Sequence, residues 1–220
     1  MTGPLYGVYG AGGCGRGIMP IARETLSRQG VPLDRLVFVV DQLAVPEING
    51  HPVMTFAEFQ AVPAVERHVA IAIADSQVRQ RLAETCQSAG VKLWSLTAAN
   101  VVVMDDVTIG DGALLSPFVT LTSNIRIGVA FHANLYSYVE HDCVIGDYVT
   151  FAPGVKCNGN VRIEDHAYIG TGAILKQGKP SEPLVISRGA VVGMGAVVTK
   201  SVPAGATVVG NPAKPLERKV

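Results

Sequence analysis

The chain has 220 residues, enough for one large domain or two small ones, and 48% of them are hydrophobic while 16% are charged. This composition is typical of a protein with a packed core and argues against disorder. Eighteen basic residues balance eighteen acidic ones, so the net attraction that drives non-specific binding to nucleic acid or anionic membranes is absent.

The four cysteines lie far apart and form no CxxC pair: Cys14, Cys86, Cys143 and Cys157. We therefore expect reduced thiols, with neither a zinc site nor a disulfide framework. The first residues carry neither a basic region nor a long apolar stretch, and no later segment is long enough to span a bilayer. The expected location is the cytoplasm, without membrane insertion.

A strand, a glycine-rich turn and a helix are predicted in that order at the start of the chain. The apolar run LYGVYG leads into AGGCGRG and then IMPIARETLSRQG, whose apolar residues recur at helical spacing. Further strands are predicted in RLVFVVD, ending at Asp41, and in HVAIAIAD, ending at Asp75. Between them TFAEFQAV predicts a short helix, and SQVRQRLAETCQSAG predicts another that Gly90 closes. Residues 1–95 are thus predicted to form an α/β domain with a parallel sheet, a Rossmann-like half-fold.

The glycine-rich turn is a candidate nucleotide site. Gly10, Gly12 and Gly15 follow a predicted strand and open a helix, the context in which GxGxxG holds a diphosphate at a helix N-terminus. Asp41, at the end of the next strand, would in isolation equally indicate a dinucleotide and a dehydrogenase. However, three clear strands make only half of a dinucleotide fold, and the rest of the chain offers no second domain for hydride transfer. A mononucleotide is therefore favoured.

After about Trp94, short apolar pairs separated by Gly, Asp, Ser or Asn recur roughly every six residues. Imperfect copies of this hexapeptide begin at Ile109, Val144, Phe151, Ile163, Ile169, Ile186 and Val192. One aliphatic side chain per copy would point into a narrow prism, with Gly, Asn or Asp at the tight turns. Three flat strands would form a triangular coil, and coils must stack to bury their apolar side chains. Residues 96–220 are predicted to form a parallel β-helix, from which residues 178–183 extrude as a loop.

Several segments together carry a resemblance to a known family: YGAGGCG, VVDQ, AIADSQVR, YSYVEHDCVIGDYVTFAPGVKCNGNV and VVGNPAKPL. In both halves the chain resembles the bacterial nucleotide-sugar N-acetyltransferases of the sialic-acid and bacillosamine type. These are a branch of the hexapeptide-repeat acyltransferases with a left-handed β-helix. The resemblance implies acetyl-CoA as co-substrate, no metal, a nucleotide-linked amino sugar as acceptor, and a homotrimer with active sites between subunits.

His141 is the candidate catalytic residue. It stands in EHDC among residues otherwise suited to prism packing, and a neutral imidazole can accept a proton near pH 7. The alternative is a solvated turn histidine. His132 is the rival base, whereas the other three histidines are interpreted as surface residues: His51, His68 and His166.

Cys143 and Cys157 are the candidate covalent nucleophiles in the repeats. Neither has a basic group at an activating spacing, so direct transfer is favoured over an acyl-enzyme.

The resemblance assigns the general base to His141 and places an acidic neighbour beside it. Asp142 occupies the matching position, while Glu140 precedes the histidine. Many relatives have a second histidine nine residues later that contacts the acetyl thioester, but this chain has Thr150 there, whose hydroxyl could still bind the thioester. The pantetheine arm would run past four residues: Gly159, Thr171, Gly193 and Met194. Lys214 could pair with a CoA phosphate or be an ordinary solvated lysine.

In the resembling family the first domain holds the nucleotide of the sugar. The matching residues are Gly12, Gly13, Asp41, Gln42, Ala74 and Arg79. Relatives usually have histidine at Cys14, a second acid at Gln42 and glycine at Ala74, so the base, uridine or guanosine, stays open. Two further hypotheses keep the fold: a sugar O-acetyltransferase, which His141 would serve equally well, and a non-catalytic trimeric scaffold that senses a nucleotide.

Overall fold

The computed structural model describes residues 3–216, and the chain divides into two compact units. The first comprises residues 1–97 with 111–114, and the second comprises residues 98–110 with 115–220. In the part of the chain that the structure describes, no helix combines the length and apolarity needed to cross a bilayer.

The first unit is built on a six-stranded sheet. Its strands are β1 Leu5–Tyr9, β2 Leu36–Val40, β3 Glu47–Ile48, β4 His51–Thr55, β5 Arg67–Ile71 and β6 Lys92–Leu93. They lie in the order β3-β4-β2-β1-β5-β6, and every neighbouring pair is parallel except β3 with β4. A parallel sheet is therefore confirmed, but with six strands rather than three. The three unpredicted strands are two residues long or contain a proline, so their apolar pattern is weak.

Three helices accompany the sheet: α1 Gly13–Arg28, α2 Phe56–Ala61 and α3 Ser76–Ser88, with a 3-10 turn at Leu33–Arg35. The starts of α2 and α3 follow from local side chains. Thr55 and Glu58 form a capping box, and Asp75 Oδ1 accepts hydrogen bonds from the N–H groups of Gln77 and Val78, both at 2.9 Å. Such caps are worth about 1 kcal/mol each. Asp75, expected at a strand end, is therefore a helix cap, and β5 ends before it.

The second unit contains a parallel β-helix with three flat faces. Face one includes the strands Leu114–Leu115, His132–Ala133, Thr150–Phe151, Tyr168–Ile169, Val191–Val192, Thr207–Val209 and Lys214–Pro215. Face two consists of Val102–Val103, Thr120–Leu121, Tyr138–Val139, Lys156–Cys157, Ile174–Leu175 and Val197–Val198. Face three consists of Val107–Ile109, Ile125–Ile127, Val144–Ile145, Val161–Ile163 and Leu184–Ile186. The short strand Leu96–Thr97, in the first unit, precedes these faces in the chain.

The corners between faces are left-handed turns. Positive φ recurs at every sixth residue from Asp106 to Gly172, as the hexapeptide period requires. Apolar side chains between these corners form one continuous buried core that runs from Leu115 to Val208. Residues 178–183 depart from the register, because ten positions separate Ile174 from Leu184, and Lys179 bridges Glu182 within the loop. The predicted coil and its extruded loop are both confirmed.

One expectation about the histidines is wrong. His51 is not a surface residue but lies 7% exposed in β4, with its ring edge-on to Phe38. Burial lowers its pKa. The sequence pattern missed this because β4 is an interior strand of the sheet. His68 and His166 are half-buried, and each ring stacks on a tyrosine, Tyr6 and Tyr148 respectively.

Candidate active site

His141 lies at the corner that follows the strand Tyr138–Val139 and precedes Val144–Ile145. Its side chain is 45% exposed, and its Nδ1 is 2.7 Å from Oδ2 of Asp142. Neighbouring residues of a strand point to opposite faces. The left-handed conformation of Asp142, with φ at 58°, breaks that alternation, so the two adjacent side chains can meet.

This contact sets the protonation of the imidazole. The hydrogen bond to Asp142 raises the pKa of His141, partial burial opposes that shift, and the charges of Asp142 and Glu140 add to it. The pKa of Asp142 is lowered, first by His141 and then by a hydrogen bond from Asn124. A neutral ring that donates from Nδ1 to the carboxylate presents the lone pair of Nε2 as a proton acceptor.

The ring of His141 lies against the backbone of the next coil. A Cβ atom built on Gly159 would stand 2.6 Å from both Cε1 and Nε2 of the imidazole, so only glycine leaves the ring its present place. The following residue, Asn160, donates its N–H to the carbonyl of His141 at 3.0 Å. Gly159, expected to approach the pantetheine arm, is thus also in direct contact with the candidate base.

The rival base is less accessible. His132 is 3% exposed within face one, where it pairs in register with Thr150, itself 2% exposed. Neither side chain is at the corner that carries His141. Accessibility to a dissolved sugar therefore favours His141 as the base, and within one chain Thr150 and His141 occupy different parts of the prism.

The other residues expected along acetyl-CoA form a second group. Thr171, Gly193 and Met194 lie at the corner between faces one and two, where the N–H of Gly195 donates to the Thr171 carbonyl at 2.8 Å. Met194 is 82% exposed, although it is apolar. Lys214 is exposed in the last strand, antiparallel to Thr207–Val209. The structure brings these residues together but apart from His141 and Gly159.

The expected nucleotide residues gather at the carboxyl ends of the parallel strands of the first unit. Five of them are exposed there: Gly12, Gly13, Asp41, Gln42 and Ala74. Within residues 3–216 no side chain caps α1, which begins after Gly12, and its first turn has no acidic residue. The positive end of the helix dipole is thus available to an anion at this edge.

Arg79 and Tyr9 each form hydrogen bonds with residues at this edge of the sheet. Arg79 is fully buried and donates to the carbonyl oxygens of Ile73 at 2.7 Å and Ala74 at 3.2 Å, so it holds the loop after β5. The buried Tyr9 donates its O–H to Oδ1 of Asp41 at 2.6 Å, and burial with this bond raises the pKa of the phenol. Sequence reasoning missed Tyr9, whose one signal was its position near the end of a predicted strand.

The cysteines are free thiols, and three of them are buried. Cys143 and Cys157 lie in the core of the β-helix, and neither thiol is exposed. Their mutual contact, together with burial, raises the pKa of Cys157 and disfavours its thiolate, whereas the same contact lowers the pKa of Cys143. The burial of Cys143 nevertheless keeps its sulfur away from a dissolved substrate. Among residues 3–216 no cluster of three or more His, Cys, Asp or Glu side chains is arranged to hold a metal ion.

Comparison with known proteins gives close relatives, although no family profile matches the chain. It is 52% identical over 214 residues to GDP-perosamine N-acetyltransferase of Escherichia coli O157:H7, covering 97% of each protein. The solved structure of WeeI from Acinetobacter baumannii AYE has a TM-score of 0.94 and 55% identity, covering 97% of this chain and 100% of WeeI. The acetyltransferase domain of PglB from Neisseria gonorrhoeae FA1090, in complex with acetyl coenzyme A, has a TM-score of 0.83 and 28% identity, over 96% and 98%.

Proposed function

Because this chain belongs to the nucleotide-sugar N-acetyltransferases of the hexapeptide-repeat type, we propose that it acetylates a GDP-linked amino sugar with His141 as general base. The family reaction transfers the acetyl group of acetyl-CoA to the amine of a nucleotide-linked sugar. The relative that is named for GDP-perosamine supports the choice of guanosine and of this sugar class. The observation that carries the catalytic role is the 2.7 Å contact between His141 Nδ1 and Asp142, which leaves Nε2 to accept a proton.

The proposed chemistry is direct transfer. The sugar amine attacks the thioester carbonyl, the C–N bond forms, and His141 Nε2 accepts a proton from the attacking nitrogen. When the C–S bond breaks, Nε2 of His141 donates this proton to the departing thiolate of CoA. Asp142 stabilises the imidazolium that exists between these two steps. Backbone N–H groups of the coil turns are the donors that we propose for the thioester oxygen as it gains negative charge.

We propose that the complete site needs two copies of the chain. His141 and Gly159 lie at one corner of the prism, whereas Thr171, Gly193 and Met194 lie at another. A homotrimer of left-handed β-helices would place one corner of each copy beside the other corner of its neighbour. In that arrangement the exposed Met194 would be covered by the neighbouring copy.

The first domain, residues 1–95, would hold the nucleotide as a Rossmann-like half-fold, while residues 96–220 carry the transferase site. The diphosphate would bind at the N-terminus of α1, against Gly12 and Gly13. Asp41, held by Tyr9, and the neighbouring Gln42 and Ala74 would contact the nucleoside. Arg79 would act through the loop that carries Ala74. Free thiols fit a reducing compartment, and the cytoplasm is the location that we propose.

The test is acetyl transfer by the purified protein and by two variants, His141→Ala and His141→Asn. We expect wild-type protein to acetylate GDP-perosamine, with an amide in the product by NMR, and both variants to lose about 100- to 10,000-fold in kcat. His166→Asn is the matched control, because it removes a half-buried histidine from another corner.

Unchanged turnover by His141→Ala, with the same oligomeric state, would remove His141 from the mechanism. An ester instead of an amide would indicate O-acetylation. Thermal-shift measurements with GDP, UDP, dTDP and NAD identify the nucleotide, since a ligand of the native state raises the melting temperature. Stabilisation by NAD alone would contradict the proposed acceptor.

A further inference from the structure

Asn124 lies one coil before the His141–Asp142 pair, at the same corner of the β-helix. Its Nδ2 donates to Oδ1 of Asp142 at 3.2 Å across a sequence separation of 18 residues. The other carboxylate oxygen, Oδ2, is the one 2.7 Å from His141 Nδ1. Amide, carboxylate and imidazole therefore form one chain of hydrogen bonds that ends at Nε2 of the partly exposed imidazole.

The amide restricts what the carboxylate can do. Asp142 is an exposed side chain, and a single hydrogen bond to the imidazole leaves it free to rotate. With one oxygen held by Asn124 and the other by His141, the plane of the carboxylate is fixed, and it fixes the imidazole ring in turn. The bond from Asn124 also favours the ionised carboxylate, because a donor stabilises the charged form.

The left-handed turn does not by itself require asparagine. Position 124 has φ at 58°, and the same corner carries Asp106, Asp142 and Asn160 in other coils, but Phe118, Tyr136 and Tyr148 adopt this conformation at the other two corners. The backbone therefore accepts other residue types, and the amide is free to be used for its hydrogen bond.

We propose that Asn124 is a positioning residue for catalysis, which holds the carboxylate of Asp142 so that His141 is fixed in the orientation of a general base. This inference rests on the proposed function, because Asn124 acts only through the pair that it supports.

A double-mutant cycle tests it. Asn124→Gly and Asp142→Gly each remove a side chain from a corner whose φ glycine adopts without strain. We expect Asn124→Gly to lower kcat/KM about tenfold in the wild-type background, the effect of one lost hydrogen bond to a charged group. In the Asp142→Gly background the same change should have no further effect, since its target is gone.

Asp106→Gly is the matched control. Asp106 lies at the same corner one coil earlier, and its side chain pairs with Arg126 at 2.8 Å on the surface. The Asp106→Gly variant should leave kcat/KM unchanged, and the change in its melting temperature measures how much stability a glycine at this corner costs. An Asn124→Gly variant that is silent, or that loses the same factor with and without Asp142, would overturn the inference.

The pH profile supplies a readout that a structural role would not move. The groups that face His141 are the carboxylates of Asp142 and Glu140 and the thiol of Cys143. Asn124→Asp adds a third carboxylate to this cluster, and aspartate already occupies this turn at positions 106 and 142. We expect the acidic limb of kcat/KM to move to higher pH. An unmoved limb would contradict the coupling.

These outcomes separate the two proposals. If His141→Ala keeps its turnover, the general-base role of His141 in the proposed function fails, and the role of Asn124 fails with it. If His141→Ala loses turnover while the cycle shows no coupling between Asn124 and Asp142, the general base stands and only the role of Asn124 fails.

Discussion

The imidazole of His141 occupies the space that a side chain at Gly159 would fill. A Cβ at this glycine would lie 2.6 Å from Nε2 and Cε1 of the ring and 3.0 Å from Nδ1. The clash involves a movable side chain rather than backbone, so the ring, and not the coil, is expected to shift. The contact therefore links residue 159 to the geometry of the base without linking it to the stability of the fold.

Gly159→Ala should lower kcat about 100-fold, because a displacement of about 1 Å in a catalytic group can cost that much. The melting temperature should stay within about 2 °C of wild type if only the ring moves. Steady-state kinetics and a melting curve on one preparation check both values. Full activity in this variant would show that the imidazole can act from a second position.

Asp142→Asn should change the pH dependence as well as the rate. The base works when neutral, so kcat/KM falls as the pH drops through the pKa of His141, which the hydrogen bond to Asp142 raises. Without the carboxylate that pKa moves down toward its ordinary value, and the acidic limb moves to lower pH. The plateau should fall about 10- to 100-fold, because the imidazolium loses its partner. A limb that stays in place would assign it to another group.

Gly15→Ala should destabilise the first unit. Its Cβ would lie 1.7 Å from the carbonyl oxygen of Gly10, a backbone atom that cannot yield without moving the glycine turn. We expect a loss of at least 1–3 kcal/mol, by analogy with overpacked cores, and a weaker thermal shift with GDP.

Gly17→Ala is the control for this substitution. It lies in the same helix, with no atom within 4 Å of its Cβ, and the change should stabilise α1 by about 0.5–1 kcal/mol. Equal melting temperatures for the two variants would contradict the proposed crowding at residue 15.

Lys214→Gln decides between the two interpretations of that lysine. If the exposed ammonium pairs with a CoA phosphate, the KM for acetyl-CoA should rise about two- to fivefold, the value of an exposed ion pair, while kcat stays the same. The difference should shrink at high salt because the pair is screened. A KM equal to wild type at low salt would leave Lys214 as a solvated side chain.

Much of the second unit could be predicted because its information is local. A residue in the left-handed conformation recurs at every sixth position from Asp106 to Gly172, and most strands carry one inward apolar side chain, so the repeat determines the coil. The resemblance to the acetyltransferase family, carried by short segments such as EHDC, is confirmed by the relative at 52% identity. The roles of the individual site residues remain predictions.

The first unit was less predictable. β4 lies inside the sheet although Pro52 interrupts its pattern, and His51 is buried with it. Arg79, matched to a ligand contact by resemblance, lies fully buried against the carbonyls of Ile73 and Ala74. These facts depend on which strands become neighbours, and a parallel sheet pairs strands that are distant in sequence.

The sequence by itself determined the order of the two units, the hexapeptide coil and the candidate base, because turn preferences and periodicity act between residues close along the chain. Only the tertiary structure decided that Asn124 reaches Asp142 and that Gly159 makes room for His141. Both contacts join successive coils, and they exist because stacking brings side chains from different turns of the helix to the same corner. Which residues meet depends on the register between successive coils, and no local stretch of sequence specifies that register.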